Sequence, residues 1–87
     1  MKRIYKYKLH SLDSRIVLPI GAQVLTVQLQ DGEPHLWALV DPFNEDETRN
    51  FAVFGTGWDL KGDSEKGKYI ATFQQDSLVW HVFELIQ

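Results

Sequence analysis

The segment QVLTVQLQDGEPHLWALVD, residues 23–41, decides the fold because it places an Asp-Gly pair between two runs of strand-forming residues. Asp31-Gly32 is a typical type I′ turn sequence, in which both central residues take positive φ and join two antiparallel strands. A two-residue turn sets the register and predicts one apolar face, which should be core, made by the pairs Leu29–Pro34, Val27–Leu36 and Leu25–Ala38. The opposite face then pairs Gln28 with His35, Thr26 with Trp37 and Val24 with Leu39.

Strand signals continue on both sides of this hairpin. KRIYKYKL (2–9) alternates with period two, which predicts a half-buried strand whose lysines point outward and protect a sheet edge. SRIVLPIGAQ (14–23) is an apolar run interrupted by Pro19 and Gly21, which indicates an edge strand followed by a turn. VDPFNEDETRNFAVFG (40–55) is interpreted as a second hairpin with a long acidic tip and a returning strand over residues 51–54. KYIATFQQDSLVWHVFELI (68–86) predicts a last hairpin around Gln75-Asp76, with three core residues, Phe73, Leu78 and Trp80.

These signals predict one fold class. We expect residues 1–87 to form a single all-β domain, an antiparallel meander of six to seven strands that makes a small barrel or sandwich. At most one short helical turn is expected, within residues 43–48 or 60–66.

Composition excludes several classes of protein. The 87 residues contain no cysteine, and no apolar run approaches the roughly 20 residues that a membrane helix needs. Lys2 and Arg3 are not followed by the apolar region of a signal peptide, so a cytoplasmic location is predicted. The net charge of −3 argues against a nucleic-acid partner, since phosphate binding favours a concentrated basic face.

The segment FGTGWDL (54–60) raises the question of a phosphate-binding loop. Gly55 and Gly57 match the first two glycines of a dinucleotide fingerprint, but Leu60 stands where the third is needed. A strand that leaves its sheet through a tight glycine corner is the remaining interpretation. Trp58 then either caps the core or contacts a partner as an exposed aromatic anchor.

No pattern in the chain predicts chemistry. His10, His35 and His81 lack metal-ligand spacing, and the serines at 11, 14, 64 and 77 lie in no nucleophile motif. His81 and Glu84 should project from opposite faces of one strand, so they cannot form an acid–base pair. We expect neither enzymatic activity nor a cofactor or metal.

The order LWALVDP (36–42), FAVFGTGWDL (51–60), YIATFQ (69–74) and LVWHVFE (78–84) resembles a family of small phage and prophage proteins of unknown function. The opening KRIYKYKL and LPIGAQVLTVQLQDGEP match the same family, so the resemblance spans nearly the whole chain. It implies an accessory protein made in the cytoplasm of a bacterial host and transfers no catalytic residue.

Three functional hypotheses follow. The first is a non-enzymatic module, monomeric or a small homo-oligomer, that binds a host protein, with inhibition of a defence protein as one role. Its contact residues would lie together at one end of the fold: Gly55, Thr56, Gly57, Trp58 and Asp59 beside Glu45, Asp46 and Glu47. The second is a barrel that sequesters a small molecule or nucleotide in a pocket at the Gly-Thr-Gly corner. The third is a single-strand nucleic-acid binder in which Tyr5 and Tyr7 stack on bases beside Lys6 and Lys8.

Overall fold

Two antiparallel sheets make up the fold in the computed structural model, which describes residues 1–60 and 62–85 but not the side chains of Asp63 and Ser64. A three-stranded sheet has the order β1-β4-β3, and a four-stranded sheet has the order β2-β5-β7-β6. The strands are β1 (Arg3–Lys8), β2 (Asp13–Pro19), β3 (Gln23–Gln30), β4 (Glu33–Val40), β5 (Asp46–Gly55), β6 (Lys68–Gln75) and β7 (Leu78–Leu85). A 3-10 turn spans Gly62–Lys66. The all-β prediction is confirmed, with a sandwich-like arrangement rather than a closed barrel.

The β3–β4 hairpin follows the predicted register near its turn. Asp31 and Gly32 have φ values of 52° and 76°, as a type I′ turn requires. The predicted pairs hold from Leu29–Pro34 to Thr26–Trp37, and a bulge then inserts one extra residue. Because of the bulge, Val24 rather than Leu25 opposes Ala38, and Gln23 rather than Val24 opposes Leu39. The predicted Leu25–Ala38 and Val24–Leu39 pairs are therefore wrong. Val24 packs on the core, and Leu25 is 43% exposed.

The segment between β4 and β5 is not the predicted hairpin loop but a connection between the two sheets. β4 already pairs with β1 on one side and β3 on the other, so it has no open edge for β5. The predicted turn at Asp41 is present, since Asn44 N–H donates to the Asp41 carbonyl at 3.1 Å. β5 pairs instead with β2 and β7, and β1 and β2 are sheet edges as predicted.

One hydrophobic core lies between the sheets. Its largest fully buried side chains are Phe51, Leu18, Leu36, Val27, Val40 and Val82. Phe73 is buried and Trp80 packs against the core, as predicted.

The prediction that Leu78 is a core residue is wrong. The last turn is Asp76-Ser77, one residue later than predicted, so Leu78 begins β7 at the end of the sheet and is 54% exposed. The predicted strand residue Ile86 lies outside the described residues, as does Lys61 of the predicted helical turn.

An ion pair fixes the end of the sandwich opposite Leu78. Arg49 Nε donates to Glu84 Oε2 at 2.6 Å, and Arg49 Nη1 donates to the Ala22 carbonyl at 2.6 Å. Hydrogen bonding to Glu84 raises the pKa of Arg49, so the guanidinium stays charged. The pair ties β5 and β7 to the β2–β3 connection.

Within the described residues, no helix has the length and apolar character to cross a membrane.

Candidate functional site

The glycine corner is a tight turn that ends β5. Trp58 N–H donates to the Gly55 carbonyl at 3.1 Å, and Gly57 has a φ of 88°. This is the geometry of a type II turn, in which the third residue needs positive φ and glycine adopts it without strain. Thr56 N–H donates to the Val79 carbonyl at 3.2 Å and fastens the corner to β7. FGTGWDL is therefore a strand-ending corner and not the start of a phosphate-binding helix.

Trp58 folds back over the corner and remains half exposed. A Cβ added at Gly55 would lie 2.8 Å from both Cε2 and Nε1 of the indole, so glycine allows the ring to pack on the backbone. The ring also meets Trp80 edge to face, with centroids 5.5 Å apart and planes at 88°. Trp58 therefore covers part of Trp80, which packs against the core, while 51% of the Trp58 side chain stays accessible; contact with a partner remains a prediction.

Exposed apolar side chains surround this indole. A depression of about 350 Å³ is lined by Gly55, Thr56, Trp58, Ser77, Leu78, Val79 and Trp80. Leu78 and Val79 are both exposed, although β7 places them on opposite faces of its sheet. We call Thr56, Trp58, Ser77, Leu78 and Val79 the corner surface. It joins a fixed aromatic ring to apolar groups at the end of the sandwich.

The acidic half of the predicted site lies elsewhere. Asp46 and Glu47 are the first residues of β5, whose ten residues separate them from Gly55 by roughly 30 Å at about 3.3 Å per residue. Glu45 stays with this far end, where its carbonyl accepts a hydrogen bond from Ile20 N–H at 2.8 Å. The structure thus brings Gly55, Thr56, Gly57, Trp58 and Asp59 together but does not bring Glu45, Asp46 and Glu47 to them. Asp59 is exposed beside the indole, and Asp76 precedes Ser77.

A hydrogen-bonded cluster on the outer face of the four-stranded sheet was missed by the sequence interpretation. His81 Nε2 and Thr56 Oγ1 are 2.8 Å apart, and His81 Nδ1 and Thr72 Oγ1 are 3.0 Å apart. Tyr69 Oη bonds the same Thr72 hydroxyl at 2.7 Å. Phe83 packs edge to face against Phe54 and Tyr69.

This cluster supports the corner. Both nitrogens of His81 bond to hydroxyl groups, so the ring cross-links the corner to β6 and β7. Glu84 faces the interior of the sandwich, on the opposite face from His81, as predicted. The described residues hold no group of three or more His, Cys, Asp or Glu side chains arranged to bind a metal ion.

Comparison with known families gives a match over the whole chain. Residues 1–87 match the family described as Domain of unknown function (DUF7352). The chain belongs to the DUF7352 family. No curated protein and no solved structure matches it significantly. This match is consistent with the prediction that the chain belongs to a family of unknown function.

In this DUF7352 domain, the geometry of the corner depends on long-range packing. Two glycines at the end of β5 signalled a corner in the sequence, but the contact of Trp58 with Gly55 and Trp80 depends on the β5–β7 pairing, which places Gly55 opposite Trp80. A two-residue turn at Asp76-Ser77 places Thr72 of β6 directly opposite His81 of β7. With the turn at that position, the sequence alone would have predicted the contact between this hydroxyl and the imidazole.

Proposed function

We propose that the protein is a phage-encoded, non-enzymatic interaction module that binds a bacterial host protein in the cytoplasm through the corner surface. Inhibition of a host defence protein is the role that we favour for it. The observation that most supports binding is the half-exposed indole of Trp58, fixed between Gly55 and Trp80 beside exposed Leu78. Phage origin rests on the sequence resemblance described above.

A fixed aromatic ring suits protein recognition for an energetic reason. Tryptophan is among the residues that most often dominate binding energy at interfaces, where it fills a pocket on the partner. A side chain already held in its bound orientation loses little conformational entropy on binding. The Trp58 ring is restricted by the turn that carries it, by its contact with the Gly55 backbone and by its contact with Trp80. The corner surface is therefore preorganised.

The charge around the corner favours a basic partner surface. Asp59 follows the indole directly, and Asp76 lies in the β6–β7 turn next to Ser77 of the corner surface. Carboxylates at the rim of an apolar contact mainly speed association with a positively charged partner. Asp59 and Asp76 replace the acidic segment 45–47 in this role.

Affinity capture from bacterial lysate with a matched pair of variants tests the proposal. Leu78→Ala removes an apolar group from the corner surface, and Val17→Ala removes one from β2, where Val17 is 57% exposed. Wild type and Val17→Ala should retain the same stoichiometric protein, whereas Leu78→Ala should retain at least tenfold less. Equal retention by all three would contradict binding through the corner surface.

A small-molecule site is a second candidate function, supported by a different cavity. An open cleft of about 500 Å³ lies between the ends of the two sheets, within the usual range for small-molecule sites. Leu9, Val53, Phe73 and Trp80 contribute apolar walls, with Lys8, His10, Ser11 and Gln75 among the polar lining residues. Thermal unfolding with a nucleotide and metabolite library tests it, since a ligand at 100 times its dissociation constant stabilises by about 2.7 kcal/mol. No shift with any compound would count against this candidate.

A further inference from the structure

The outer face of the three-stranded sheet, which lies away from the core, carries two planar rings on its middle strand. His35 and Trp37 are successive outward residues of β4, with ring centroids 5.9 Å apart. His35 Nδ1 lies 2.9 Å from the Glu33 carbonyl, and a carbonyl only accepts, so Nδ1 carries the proton. In the neutral ring, Nε2 is therefore a hydrogen-bond acceptor. Both rings are half buried, which holds them in place.

Ammonium groups line one side of these rings. In the β1–β4 register, Lys6 lies opposite Trp37 and Lys8 lies opposite His35, so both lysines share the outer face. Lys6 Nζ donates to Gln30 Oε1 at 2.7 Å. Gln30 belongs to β3, on the far side of β4, so the Lys6 ammonium reaches across the middle strand.

Amide and hydroxyl groups line the other side. The outward residues of β3 opposite the rings and next to the turn are Thr26, Gln28 and Gln30. Gln28 Nε2 donates to Thr26 Oγ1 at 3.2 Å, so this row has hydrogen-bonding groups held near the sheet surface. Amide side chains both donate and accept, as the edges of nucleobases do.

Charge is segregated on this face even though the protein is acidic. Lys2 precedes β1 in the same alternation as Lys6 and Lys8. Among the outward residues of the three strands, all within the described residues 1–40, the acidic side chain is Glu33, which pairs with Lys8 at 2.8 Å. The net charge of −3 therefore arises from other surfaces.

We propose that this outer face binds single-stranded nucleic acid. Bases stack on Trp37 and His35, Lys6 and the neighbouring lysines contact phosphates, and the β3 amides meet base edges. Stacking on aromatic rings beside a basic groove is the general mode of single-strand binding. The arrangement corrects the predicted one, because Tyr5 and Tyr7 face the interior of the sandwich and not the side that carries Lys6 and Lys8.

Fluorescence anisotropy with labelled single-stranded DNA and RNA of about 12 nucleotides tests this proposal at low salt. Trp37→Ala should weaken binding at least tenfold, and Trp37→Phe, which keeps a ring and guards against a folding defect, should restore most of it. Tyr69→Ala, on the other sheet, is the aromatic control and should leave binding unchanged.

Salt dependence separates phosphate contact from other binding. Each neutralised phosphate of a single strand contributes about −0.7 to the slope of log affinity against log salt, so three lysines predict roughly −2. Lys6→Gln should reduce the magnitude by about 0.7, and Lys68→Gln on β6 should not change it. The proposal would be overturned by any of three results: no detectable binding at low salt, an unchanged affinity in Trp37→Ala, or an affinity for polyglutamate equal to that for the oligonucleotides. Trp58 takes no part in this proposed nucleic-acid site, so the result of this experiment does not depend on whether the corner surface binds a protein.

Discussion

Gly55→Ala is expected to destabilise the protein by displacing the Trp58 indole, without removing any native atom except a hydrogen. The added Cβ would lie 2.8 Å from Cε2 and Nε1, closer than carbon atoms approach in proteins. The backbone at Gly55 is not in the left-handed region, so alanine itself introduces no φ strain there. All of the expected cost therefore comes from the ring.

The magnitude follows from what the ring loses when it moves. Trp58 is 51% exposed, so about half of its surface, roughly 125 Å², is buried. At about 25 cal/mol per Å² this is ~3 kcal/mol as an upper estimate, and the edge-to-face contact with Trp80 contributes about 1 kcal/mol. A displaced ring keeps some of this contact, so we expect a loss of about 2–3 kcal/mol.

A double-mutant cycle isolates that effect. Urea unfolding followed by far-ultraviolet circular dichroism should show Gly55→Ala to be costly in wild type but neutral or slightly stabilising in a Trp58→Ala background. Gly21→Ala is the control: its Cβ meets nothing within 4 Å and its φ is 83°, so its cost should be the same in both backgrounds. A Gly55→Ala cost that persists unchanged without the indole would refute the packing argument.

Further predictions concern the hairpin, the core and pH. Gly32→Val should destabilise by about 1–3 kcal/mol through backbone strain alone, because φ is 76° and no atom lies within 4 Å of its Cβ; stability equal to wild type would show that the turn is wrongly assigned. Leu36→Ala should cost about 2–5 kcal/mol in chemical denaturation, whereas Leu25→Ala, in the bulge, should cost under about 1 kcal/mol; the reverse order would mean a slipped register. A hydrogen bond from Lys8 lowers the pKa of Glu33 below its ordinary value of 4.5. The ionised Glu33 therefore stabilises the fold at pH values above 4.5, and this stabilisation is lost as the pH falls through the lower pKa of the folded state. The free energy of unfolding should therefore fall less steeply with acidification in Lys8→Met than in wild type. Identical pH dependence in the two proteins would count against the ion pair.

The sequence predicted features that depend on local chemistry. The Asp31-Gly32 turn determines its own register, and the lysines of β1 and the proline of β2 mark edge strands. The bulge at Leu25 was not predictable in the same way, because Leu25 and Val24 are both apolar and their order does not show that Val24 is the one that packs on the core.

Features that depend on long-range pairing could not be predicted. The segment after Asp41 has the local signals of a hairpin loop, and only the occupation of both edges of β4 sends β5 to the other sheet. The returning strand was expected at residues 51–54, but β5 begins at Asp46, and this extension moves Glu45 and Asp46 away from Trp58. The structure therefore keeps the aromatic part of the candidate site together and places its acidic part at the other end of β5, while binding by either part stays a prediction.

The most direct test of the central proposal is the affinity of the Trp58→Ala variant for its captured partner, measured per folded molecule. Folded fraction is taken from circular dichroism under the same conditions, and Phe43→Ala, which removes an exposed ring from the β4–β5 connection, is the control. If the corner surface binds the partner, Trp58→Ala loses about 2–4 kcal/mol of binding free energy, roughly 30- to 1000-fold in affinity, while Phe43→Ala binds as wild type does. Wild-type affinity in the folded fraction of Trp58→Ala would contradict the proposal and leave the indole as a cover for Trp80 alone.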